Sequence, residues 1–159
     1  MEHVEDLLLD AREELKRLEH IIYVTLKYTR TVDVLVNALT RLLSVYDLLI
    51  EAYLEKARLD GTVTSLAKSP ALRAKHLGEL YPQDELLQKN LTFYTFLKIM
   101  LNRPHVRREE FRRHVTLLVE LENSTAEIAI DHLMNCEKFV HQFFRHSWKS
   151  ILGKGDEEE

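Results

Sequence analysis

Five arginines, two glutamates and two histidines stand between Arg103 and His114, the one local concentration of positive charge in a 159-residue chain of net charge −4. Arg107, Arg108, Arg112, Arg113 and His114 are the candidate anion- or nucleic-acid-binding residues, because a guanidinium presents planar donors that match phosphate oxygens. On a helix Glu109 would neighbour Arg113 at i, i+4, and Glu110 would neighbour His114, so part of the charge is answered locally. The segment therefore reads first as a solvated helical face, and second as a contact for phosphate.

Other groupings offer less chemistry. Asp47, Glu51 and Glu55 follow an i, i+4, i+8 line that a hard cation could use, but the plainer reading is the wet stripe of a buried helix. His132, Cys136 and His146 share a face, yet His132 and His146 would lie about 21 Å apart along one helix, so they read as packing or partner-contact residues. None of the eight histidines has a glutamate three positions before it, which excludes the Glu-x-x-His pairs of di-iron bundles. No His-Glu-x-x-His string and no cysteine pair occurs, and four glycines cannot build a dinucleotide or P-loop cradle. No cofactor and no metal site is assigned.

The elements that must carry these residues are helical by composition. From Met1 to Asp60 the chain has neither glycine nor proline, and leucine fills 28 positions overall. Val4, Leu8, Ala11, Leu15, Leu18 and Ile22 form a seam on a first helix. The seam blurs over Ile21 to Tyr28, where β-branched residues collect, and any strand in the chain would be expected across Ile21 to Val36. A turn at Tyr28 to Thr31, with Thr31 as N-cap, leads to a second helix over Val32 to Leu59 that is apolar on most sides. Gly61 ends it, Ser69-Pro70 restarts a short helix to Leu80, and Pro82 to Glu85 restarts another to Leu101. A helical pattern resumes near Val106, and Ser124 with Glu127 reads as a capping box before a last helix with a core stripe of Ile130, Leu133, Val140, Phe144, Trp148 and Ile151.

The expectation is an all-α, up-and-down bundle of about five helices with a long N-terminal helical hairpin and a helix content above about 65%. Residues 1–152 form a single domain, and residues 153–159 a disordered acidic tail. With one cysteine, no signal-peptide pattern and no run of about 18 apolar residues, the expected location is cytoplasmic with no membrane contact. The broad apolar surface of the second helix and the Cys136, Phe139, Phe143 line predict a homo-oligomer, a dimer first, with room for a protein partner.

The element order, the segment Ala52-Tyr-Leu-Glu-Lys-Ala-Arg-Leu-Asp-Gly61 and the last helix from Glu127 to Phe144 resemble the HEPN superfamily of helical bundles. Arg107 and Arg108 both precede His114 at the Arg-x(4–6)-His spacing of its metal-independent ribonucleases. The resemblance implies a dimeric bundle and, in the active case, a ribonuclease or toxin partnered by a nucleotidyltransferase, with His114 as general base and Arg108 steadying a phosphate. The residues by themselves favour a non-catalytic, self-associating interaction module, with nucleic acid as the lesser expectation.

Overall fold

The computed structural model describes residues 1–153. Its elements run α1 (Glu2–His20), a π-helical turn (Ile21–Thr25), α2 (Leu26–Tyr28), α3 (Val32–Leu59), α4 (Pro70–Leu80), α5 (Glu85–Leu101), β1 (His105–Arg108), β2 (Thr116–Glu120), β3 (Thr125–Ala129) and α6 (Ile130–Leu152). The described residues are 69% helical. Gly153 closes α6 in the left-handed region at φ 74°, where glycine carries no Cβ penalty. The remainder of the expected acidic tail, residues 154–159, lies outside the described residues.

Local chemistry sets the helix starts. The Thr31 hydroxyl accepts from the Val34 amide, the Ser69 hydroxyl accepts from Leu72 with Pro70 at the first helical position, and Asp84 Oδ1 accepts from Leu87. Each bond satisfies one of the amides that a helix start leaves free. Gly61, at φ 80°, ends α3 where a side chain would be strained.

Helix α3 is the central element. It packs against α1, α4, α5 and α6, and Leu59 is its only large apolar side chain that is exposed. The apolar surface expected to need a second copy is thus covered within one chain. Phe143, from the other half of that argument, is fully buried and stacks on Tyr46 and Tyr53 of α3. Tyr46 donates to Asn90 Oδ1 at 2.6 Å, and Asn90 Nδ2 donates to the Leu86 carbonyl at 2.8 Å, so the Tyr46 hydroxyl and the Asn90 amide are satisfied inside this aromatic cluster, whereas the Tyr53 hydroxyl is buried without an acceptor.

The fold is not strictly all-α. Residues expected to continue as helix from Val106 form a three-stranded antiparallel sheet in the order β1-β2-β3. Val115, Leu117 and Val119 are buried, and Leu117 pairs with Ile128 on the same inner face. This face packs against α3 and leads through β3 into α6. The expected capping box at Ser124 and Glu127 is also replaced: Ser124 lies in the β2–β3 turn, where its carbonyl accepts from Leu121 at 2.8 Å, and Glu127 lies on β3. Helix α6 starts three residues later, with His132 Nδ1 accepting from the Ala129 amide at 2.9 Å. The β-branched run at Ile21–Val36 forms no strand; it supplies the π-helical turn and the start of α3.

Candidate anion-binding pocket

The arginine-rich segment runs through β1 into the loop that joins it to β2, and this geometry divides the five candidate residues. Arg107 donates to Asp33 Oδ1 at 2.7 Å and to Glu110 Oε1 at 2.8 Å, while Glu110 Oε2 accepts from the Val32 amide at 2.9 Å. Together these contacts tie the loop to the start of α3. The hydrogen bond from Arg107 holds the Asp33 carboxyl below its ordinary range. Arg108 is engaged across the sheet by Glu127. The helical pairings of Glu109 with Arg113 and of Glu110 with His114 do not form, because the segment is strand and loop.

Glu110→Ala is expected to cost about 1 kcal/mol, since the α3 amide and Arg107 lose one shared partner. Chemical denaturation of wild type and variant measures it. The Asp33 contribution has a definite sign: with its folded pKa lowered, it is present at neutral pH and lost as the pH falls through that lowered value.

Beyond this anchor the loop turns sharply. Glu109 and Phe111 have φ of 54° and 65°, and the Phe111 amide donates to the Arg30 carbonyl at 2.6 Å. That bond brings the loop against the end of α2 and delivers Arg113 and His114 to a pocket of about 400 Å³. Opposite them stand Ile22, Tyr23, Leu26, Lys27 and Arg30, while Ile130, Asp131 and Met134 of α6 close the third side. Arg112 is exposed outside the pocket.

The π-helical turn is part of this wall. Ile21, Ile22, Val24 and Thr25 are β-branched and crowd the preceding turn of a regular helix, and one extra residue per turn relieves the crowding. Ile22 and Leu26 remain in the core, whereas Tyr23 and Val24 stay partly open to solvent.

Three permanent cations, Lys27, Arg30 and Arg113, meet one carboxylate, Asp131, around the pocket. Among the described residues the side chains of Lys27, Arg113 and His114 make no hydrogen bond or ion pair. The Nε of Arg30 is shielded from solvent and has no acceptor. Tyr28 and Phe111, at the two chain segments that meet here, are the most exposed large apolar side chains described, at 85% and 76%.

The other predicted groupings are taken up internally. Asp47 accepts from the Tyr94 hydroxyl at 2.5 Å, Glu51 pairs with Arg73 at 3.3 Å, and Glu55 with Arg58 at 2.8 Å, so the carboxylate line is neither a cation site nor a merely solvated stripe. His146 Nε2 lies 2.7 Å from Asp84 Oδ2 and ties α6 to the start of α5, while His132 caps α6. Burial pushes the Cys136 thiol up to about 11, which leaves it a poor nucleophile. Among the described residues no three His, Cys, Asp or Glu side chains are grouped to hold a metal ion.

A second depression, of about 1050 Å³, opens between α4 and α5. The helices approach closely at Gly78, where an added Cβ would sit 3.4 Å from Leu91 Cδ1. Ile99 lines the groove and is 51% exposed, with Phe96 beside it. No helix among the described residues is long and apolar enough to cross a membrane. No family model, no curated protein and no solved structure matches this chain.

Proposed function

We propose that this protein is a non-catalytic helical binding module whose working face surrounds the basic pocket, and that its ligand is single-stranded nucleic acid. The observation that carries the reading is the convergence of Lys27, Arg30 and Arg113 on one pocket, with exposed Tyr28 and Phe111 on the two chain segments that meet there. Such faces bind single strands because cations follow the phosphates while bases of any identity stack on open aromatic rings.

Two features favour binding over cleavage. Arg108, which a HEPN-type ribonuclease would use to steady a phosphate, is held by Glu127, and Arg107 is held by Asp33 and Glu110. His114 is left without an arginine of that spacing free beside it. The test is a metal-free incubation with a fluorescent single-stranded RNA. Binding without cutting, in wild type and His114→Ala alike, supports this reading; cutting that His114→Ala abolishes replaces it with the ribonuclease.

We further propose that two copies pair through the α4–α5 face, where an open groove and protruding apolar side chains lie together. A two-fold contact would seat Ile99 and Phe96 of each copy against the other's groove. Wild type should sediment as a dimer at micromolar concentration, and Phe96→Glu with Ile99→Asp as an 18.8 kDa monomer of unchanged helicity. A monomeric wild type contradicts the pairing and leaves the nucleic-acid reading intact.

A further inference from the structure

We infer that the pocket takes the terminal phosphomonoester of the strand, not a phosphodiester within it. The inference rests on the nucleic-acid reading above and names which part of the ligand enters.

Charge and shape both carry it. Three permanent cations against the single Asp131 suit a dianion, and a phosphomonoester carries about −1.5 to −2 at pH 7, whereas an internal diester carries −1. The monoester also offers three free oxygens, enough for the donors that Lys27, Arg30 and Arg113 bring to the pocket. A diester has two, and its chain must continue on both sides.

The walls beside the cations offer little to a chain that runs on through the pocket. Ile22 and Leu26 on one side and Ile130 and Met134 on the other are apolar, with nothing to bond a sugar-phosphate chain passing through. A volume of about 400 Å³ falls in the range of small-ligand sites, roughly 300–1,000 Å³, and suits one terminal nucleotide. The rest of the strand then lies outside, where Tyr28 and Phe111 stand open for stacking and Arg112 for a phosphate.

Fluorescence anisotropy at 0.15 M salt with one single-stranded oligonucleotide in three forms decides this. The forms are 5′-phosphorylated, 3′-phosphorylated and unphosphorylated, so the end that fits is identified along with the preference. At least one phosphorylated form should bind about tenfold or more tightly than the unphosphorylated one, and inorganic phosphate at millimolar concentration should erase the difference. Arg30→Met keeps the apolar stem and the main-chain bond to Phe111, and should bring the phosphorylated and unphosphorylated forms to one common, weaker affinity. Arg113→Met, at an exposed position, repeats the test without risk to folding.

Equal affinity for all three forms overturns the inference and leaves nucleic-acid binding standing. So does a preference that survives both substitutions. Absence of binding by every form overturns the inference and the functional reading together.

Discussion

Phe143→Ala is expected to destabilise the protein by about 3–5 kcal/mol, the cost of a large cavity in a core that cannot collapse around it. Phe143 is fully buried, with ring centroids 5.9 Å from Tyr46 and 6.2 Å from Tyr53, both on α3. Tyr46 is itself pinned by its bond to Asn90 and by an edge contact with Phe93. Relaxation into the void is therefore restricted, and the loss should sit near the top of the range for aromatic truncation. For a chain of this size the loss corresponds to roughly 10 °C in Tm. Thermal and urea unfolding followed by circular dichroism measure it. A loss under about 1 kcal/mol would show that α6 is not the third layer of the core around α3.

The helical part of this core is legible in the sequence because its signals are local. Thr31, Ser69-Pro70, Asp84 and Gly61 act on amides and carbonyls within four residues of themselves, and each ends or begins a helix where its chemistry requires. The sheet is different. Arg107, Arg108, Glu109 and Glu110 have good helix propensity, and the strands are held by partners up to 14 residues away, as in His105 with Val119, and by burial against α3. The alternation of Val115, Leu117 and Val119, followed by Asn123-Ser124 and then Ala126 and Ile128, was the available signal for a hairpin.

The pocket was half visible for the same reason. Arg113 and His114 stand out as part of a charged run. Lys27 and Arg30 do not, because they belong to another element and reach the site only through the π-helical turn and the bond between Phe111 and Arg30. Conversely, Arg107 and Arg108 look like binding residues by composition but face Asp33 and Glu127, which are remote in sequence. The covering of α3 by α4, α5 and α6 also shows why its wide apolar surface did not by itself demand a second copy.

Single-strand binding at this pocket should weaken with salt, since phosphate contacts release counterions and each contributes about −0.7 to the slope of log K against log salt. Three to four cations at the pocket and its rim give an expected slope of about −2 to −3 for wild type. Lys27→Ala with Arg113→Ala removes two of them, neither with a partner in the fold to lose. Affinity at 0.15 M salt should fall on the order of 100-fold and the slope become shallower by about 1.4, with the melting temperature nearly unchanged. Binding that is insensitive to salt, or a double variant that binds with the wild-type slope and affinity, would contradict the account.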